Sequence, residues 1–367
     1  MKVSDETLEG FTISYPLEKF APLDEILFLD IETTGFTAHT SYLYLIGCAY
    51  HQAGKWHVIQ WLAENYQEET DILNAFFDFS KLYRYLIHFN GNNFDLPFIS
   101  QKCMQLLLPY TFDSFEGLDL YRRLTPYKNL LNLPNCKQKT LEKFLGVDRE
   151  DPFSGGELIG IYHDYVEKPN EFSEKSLMLH NFDDIKGMLQ IVPMLAYPDL
   201  FDESVKARKV QANSYKDLKG NTRKELLIML SPITPLPKSI SASANGCYLR
   251  AEGDDVTLKV PLYVEEMKYY YGNYKDYYYL PEEDTALHKS VASFVDKEHR
   301  EQATARNCYT RKASSYLPEW EPVFVPLFKR DYDSKEMFFE LADEMKRDRE
   351  AFAKYANHIL TMIAKSE

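Results

Sequence analysis

Asp30 and Glu32 stand two residues apart in ILFLDIETTG. In an extended strand their carboxylates project from one face, roughly 7 Å apart at the backbone. The run before them is apolar and predicts burial, and buried carboxylates are rare unless they bind a metal or an ion partner. A solvated Asp-x-Glu triplet is the competing reading, and the apolar run argues against it. Asp95 follows in LIHFNGNNFDLPFI, where a strand-like run ends in an Asn/Gly loop and the acid opens a helical pattern. A helix N-cap would by itself explain an aspartate there, but not its arrival straight after a second core strand. HNFDD, residues 180–184, sets His180 and Asp184 four apart on one helix face. Four acids without cysteine suit hard, oxygen-seeking Mg²⁺ or Mn²⁺. Divalent ions held by such acids can activate a bound water and stabilise developing negative charge.

These residues need a scaffold that brings distant segments together. Residues 26–31 read as a buried central strand, and 42–50 and 56–62 as two more, joined by a turn at 52–55 into an antiparallel meander. A helical period over 70–79 precedes a strand at 85–89 and a helix from Asp95. A strand at 116–121, a short helix at 139–145 and a long helix at 174–195 complete the reading. The order predicts an α/β fold, a mixed sheet flanked by helices, over residues 21–200, after an N-terminal segment at 1–20.

With 367 residues and 45% hydrophobic content, the chain can bury two cores of ordinary size. Lys and Arg become more frequent near residue 201 and SPITPLPKS follows at 231–239, placing a boundary at 200–210. No apolar stretch approaches the ~20 residues that span a bilayer, and the N-terminus has no secretory pattern. The expectation is a cytoplasmic protein without a membrane partner. Cys48, Cys103, Cys136, Cys247 and Cys308 form no CxxC pair, which argues against a zinc ribbon or a disulfide framework. The net charge of −14 disfavours a phosphate-rich partner at first sight. Residues 1–200, however, carry 16 Lys+Arg against 29 Asp+Glu, and 201–367 carry 26 against 27. The excess acid lies in the half with the proposed metal site, where divalent ions would offset part of it.

The ordered segments FLDIETTG, HFNGNNFDLPFI and HNFDDIKGML resemble the three exonuclease motifs of DnaQ-like, four-carboxylate 3′-to-5′ exonucleases, over roughly residues 20–198. Within that superfamily the chain is most similar to the YprB-type RNase H-like group, in which HNxxD forms the last motif. KTLEKFLGVDREDPFSGGELIGIYHDYV, residues 139–166, resembles that group's connecting region. The resemblance implies an RNase H-like fold and two bound Mg²⁺ or Mn²⁺ ions. Asp30 would bridge the ions, Glu32 and Asp184 would complete the nucleophile side, and Asp95 would hold the second ion. His180 would be the base, with Thr33, Thr34, Gly35 and Asn90 near the terminal nucleotide. One departure matters. His-type members set the His five residues before the last Asp and Tyr-type members set a Tyr four before it, whereas this chain has His at the Tyr spacing. The resemblance therefore carries to Asp184 as a ligand more firmly than to His180 as a base, and Asp183 substitutes if the helix register differs. Asp119 is a fifth acid that could be drawn into the site, with a surface strand-end acid the favoured reading, and Asn90 and Asn93 read as turn formers ahead of loop-orienting groups.

The implied function is a metal-dependent 3′-to-5′ exonuclease acting on single-stranded DNA or RNA. A metal-dependent endonuclease or RNA-processing nuclease, and an inactive nucleic-acid-binding module, are the alternatives. Residues 201–367 read as a smaller α+β domain of unknown fold and a candidate for substrate binding. Strand-like runs at 256–264 and 267–280 surround a Gly272-Asn273 turn, and a terminal helix is predicted over 335–363. The tyrosines at 269–279 could stack on bases, but a Tyr-rich hairpin packing on its own core is the favoured reading.

Overall fold

The computed structural model describes residues 1–149, 153, 155–203 and 205–366; part of the 139–166 stretch, residues 150–152 and 154, falls outside them. The chain divides into two compact units, Met1–Pro198 and Asp199–Glu367.

The first unit is built on a six-stranded sheet in the order β1-β4-β3-β2-β5-β6. Its elements are β1 (Lys2–Leu8), β2 (Ile26–Thr33), β3 (Leu43–Gln52), β4 (Lys55–Leu62), α1 (Glu69–Ser80), β5 (Tyr85–His88), α2 (Asp95–Gln105), β6 (Glu116–Asp119), α3 (Leu120–Leu124), α4 (Gln138–Leu145), α5 (Gly155–Glu167) and α6 (Glu171–Ile191). The meander β2-β3-β4 is antiparallel, and β5 lies parallel beside β2. Residues 2–8, read from sequence as outside the domain, add an edge strand along β4. The strand at 116–121 ends earlier than expected, because Asp119 caps α3.

Alternation along β2 decides where the chemistry sits. Leu27, Leu29 and Ile31 join one core with Ile72, Leu73 and Phe76 of α1 and Phe98 and Ile99 of α2. Asp30 and Glu32 therefore point to the opposite face, where α6 packs against β2, β3 and β4. Because β2, β5 and β6 run parallel, their C-terminal ends meet at one edge, an arrangement that commonly opens a binding crevice in α/β sheets.

In the second unit β7 (Lys206–Lys216), β8 (Thr222–Ser231), β9 (Leu236–Ala244), β10 (Cys247–Gly253) and β11 (Asp255–Pro261) form a sheet ordered β7-β8-β11-β10-β9. Next come β12 (Tyr263–Tyr270), β13 (Tyr277–Leu280), β14 (Thr285–His288), β15 (Glu301–Gln302), β16 (Tyr309–Glu319), β17 (Leu327–Phe328) and β18 (Met337–Glu340). They make sheets ordered β12-β16-β18-β17 and β14-β13-β15. The hairpin expected about Gly272-Asn273 does not form: β12 pairs with β16, and β13 with β14 and β15. The terminal helix spans Arg349–Ser366, starting later than read, since residues 337–340 pair with β16 and β17. Tyr271, Tyr274, Tyr277 and Tyr279 pack around Ala286, Ala303 and Cys308, the core role favoured for the ribbon. Among the described residues no helix is long and apolar enough to cross a membrane.

Candidate metal centre

Strand β2 delivers Asp30 and Glu32 to one face, and α6 lays His180 and Asp184 across them. His180 Nε2 lies 3.3 Å from Asp184 Oδ2 and 3.7 Å from Glu32 Oε1. Glu32, His180 and Asp184 each offer a ligand atom within 4.8 Å of the others. Among the described residues this is the group of His, Cys, Asp and Glu donors able to hold an ion. Oxygen and imidazole donors without thiolate suit a hard or borderline divalent cation. Asp183, the substitute considered from sequence, is buried one position away, but Asp184 is the acid in this group.

Asp95 reaches the centre from α2. Phe94 occupies the N-cap position and makes no side-chain cap, so Asp95 is the first helical residue rather than the cap. Its Oδ1 instead accepts the backbone N–H of Ile31, between the two β2 acids, at 3.2 Å. Burial pushes the Asp95 carboxyl up to about 7, with the charges of Asp119 and Asp184 adding to the shift against two backbone hydrogen bonds. Asp30 is held well above the usual carboxylate range, first by burial and then by the charges of Asp184, Asp95 and Glu32. Acids buried so close together resist simultaneous ionisation, and a multivalent cation removes that resistance. The residues present therefore fit a divalent metal.

Sequence reasoning missed several groups that shape the centre. Asn181 Nδ2 donates to Asp30 Oδ2 at 2.9 Å, and Gln60 Nε2 donates to Asn181 Oδ1 at 2.9 Å. Gln60 also reaches the Met178 carbonyl, so the amide orientations are fixed from outside the cluster. Asp30, Gly47 and Gln60 are cross-strand neighbours. A Cβ at Gly47 would sit 2.0 Å from Asn181 Oδ1, so only glycine leaves room for this amide on the sheet. A glycine inside an otherwise bulky strand signals close approach, and Gly47 in YLYLIGCAY carried that signal.

Arg149 is the second omission. Its Nε and Nη2 fork onto Glu142 Oε2 and Oε1 at 2.5 and 2.6 Å, and Nη1 bonds Asp184 Oδ1. Burial would lower its pKa, but Glu142 and Asp184 more than offset this and hold the guanidinium charged.

The expected substrate-side residues serve the loops in this structure. Thr33 Oγ1 donates to the Gly35 carbonyl, and Thr34 Oγ1 accepts from the Tyr42 N–H. Asn90 has φ +62°, and its side-chain oxygen accepts from Asn93, which fits the turn-forming reading. Asp119 is not a surface acid. It is buried, and it accepts the backbone N–H groups of Asn90 and Asn92, bracing the loop that leads to Asp95.

Residues 27–196 match the model of the RNase_H superfamily, and the mixed sheet flanked by helices that they build is an RNase H-like fold. None of the curated proteins matches the chain. Among solved structures the chain is similar to a family B DNA polymerase from the hyperthermophilic archaeon Pyrobaculum calidifontis, at 16% identity and a TM-score of 0.37, covering 48% of this chain and 25% of that one. It is also similar to exonuclease I in an ExoI/SSB-Ct complex, at 11% identity and a TM-score of 0.30, covering 56% and 55%. A zinc-bound E. coli ExoI–ssDNA complex follows at 13% identity and a TM-score of 0.28, covering 57% and 55%. The chain thus spans a quarter of that polymerase's length and about half of exonuclease I's.

Proposed function

We propose that this chain is a metal-dependent nuclease of the YprB type that removes nucleotides from the 3′ end of single-stranded DNA or RNA. The observation that supports this best is the convergence of Asp30, Glu32, Asp95 and Asp184 beside His180, with Asp30 and Asp95 driven toward protonation by burial and then by the neighbouring acids. Such an arrangement is costly unless cations occupy it. Two divalent ions, Mg²⁺ or Mn²⁺, would supply activated water and offset charge on the phosphoryl oxygens.

The chain's own residues would divide the remaining work. Asp30, anchored by Asn181, would bridge the two ions; Glu32 and Asp184 would hold the nucleophile side and Asp95 the other. His180, within 3.3 Å of Asp184 and 3.7 Å of Glu32, would take the proton from the attacking water. The backbone of Thr33, Thr34, Gly35 and Asn90 would face the terminal nucleotide.

The test follows nucleotide release from 3′- and 5′-labelled single-stranded DNA and RNA, with a circular strand as control, in Mn²⁺, Mg²⁺ or EDTA. Stepwise 3′ shortening that requires metal and is lost in Asp30→Asn is the expected result. Cutting of the circle would reassign the site to an endonuclease. Binding without cleavage would leave a nucleic-acid-binding module.

A further inference from the structure

Glu142 is a buried acid on α4 whose neighbours are arranged around it. Gln138 Nε2 donates to its Oε1 at 2.9 Å and to the Asp184 carbonyl at 2.7 Å. On α6, a Cβ at Gly187 would lie 2.0 Å from Glu142 Oε1. The helices thus close on this carboxylate, and any residue but glycine at 187 would displace it. Both carboxylate oxygens receive the Arg149 fork. Two parallel bonds fix the plane of a guanidinium as well as its position. The third nitrogen, Nη1, is thereby aimed at Asp184 Oδ1, leaving Oδ2 toward His180 Nε2.

A carboxylate with two oxygens can rotate and present either one to an ion. Here Oδ1 is taken by a cation that is itself pinned, so Oδ2 is the oxygen left facing the donor group of Glu32 and His180. On the reading of this centre as a divalent-metal nuclease site, we infer that Arg149, locked by Glu142, is a positioning residue that selects the ligating oxygen of Asp184. The opposite role is physically distinct: a guanidinium could compete with a divalent ion for the same carboxylate. The two differ in sign, since loss of a positioning group weakens metal binding and loss of a competitor strengthens it.

Calorimetric titration of the metal-stripped full chain with Mn²⁺ alone distinguishes them. Groups that orient metal ligands typically contribute about 10–100-fold in affinity, and Arg149→Met is expected to weaken Mn²⁺ binding on that scale. Arg149→Lys keeps the charge but loses the fork, and should not restore affinity. The double variant Arg149→Met/Asp184→Asn should bind no more weakly than Asp184→Asn, because both changes act through one carboxylate. Melting in EDTA reads any purely structural role. If Arg149→Met does not fold, Glu142→Gln carries the test, with a smaller loss expected. Unchanged Mn²⁺ affinity in folded Arg149→Met or Glu142→Gln would overturn the inference alone, as would tighter binding or additive losses in the double variant. Absence of saturable Mn²⁺ binding by the wild type would overturn the metal-nuclease reading and this inference with it.

Discussion

Aspartates meet opposite fates in the two units. In the first, Asp30 and Asp95 lie among other acids, and burial with like charges raises their pKa values. In the second, Asp284 accepts the Tyr279 and Tyr309 hydroxyls and lies near Arg311. Burial would raise its pKa too, but those hydroxyls and the Arg311 and Lys268 charges lower it. An acid surrounded by donors stabilises the fold, whereas a buried one surrounded by acids opposes it and becomes useful when a cation arrives. The contrast separates a structural use of aspartate from a chemical one.

The largest expected effect tests the chemical side. Asp30→Asn should reduce metal-dependent hydrolysis on the order of 10³-fold, measured by release of labelled nucleotides, while Asp284→Asn should leave turnover per folded molecule unchanged. Asn181→Ala should cost about 10–100-fold in Mn²⁺ affinity or activity, as expected for a group that orients a ligand. Gly47→Ala should act through the same amide and also lower stability by about 1–3 kcal/mol through overpacking, read by denaturant unfolding.

Stability in EDTA should then change in opposite directions at the two sites. Above pH 7, Asp95→Asn removes a charge that its surroundings disfavour and should stabilise the metal-free protein. Asp284→Ala removes the acceptor shared by the Tyr279 and Tyr309 hydroxyls and should destabilise it by about 1 kcal/mol. Equal signs would break the comparison.

The smallest effect is the pH dependence. Asp95 binds its proton more tightly folded than unfolded, so its favourable contribution is present below the unfolded value near 3.8 and disappears as pH rises through about 7. Melting temperatures in EDTA should therefore decline across that window in the wild type more than in Asp95→Asn. Mn²⁺ binding near pH 7 should release protons, detected as a calorimetric heat that depends on the buffer's ionisation enthalpy.

Local periodicity carried the first unit's order. The apolar run before Asp30, the meander turn at 52–55 and the helical spacing of His180 and Asp184 each depend on near neighbours, and each was readable from the chain. Asp30, Glu32 and Asp95 could be nominated in the same way, because acids next to apolar runs stand out without knowledge of the partner, whereas Asp184 was nominated by its place after them in the order of the motifs. The second unit was less legible. Its strands β7 to β10 lie in a polar, Lys-rich stretch, and β12 leaves its sequence neighbour β13 to pair with β16. Such pairings bring together residues far apart in the chain, and no local pattern encodes them.

The sequence by itself determined which acids face together on β2, which residues share a helix face on α6, and that the donor set suits a hard divalent ion. Tertiary structure alone decided that Asp95 bonds the Ile31 amide instead of capping its helix, and that Asp119 is buried under the loop. It also decided that Asn181 crosses Gly47 to reach Asp30 and that Glu142 aims Arg149 at Asp184. The physical reason is range: periodicity and propensity act over a few residues, whereas these contacts join positions 27 to 151 residues apart, apart from the seven between Glu142 and Arg149. They exist only once sheet and helices have closed on one another.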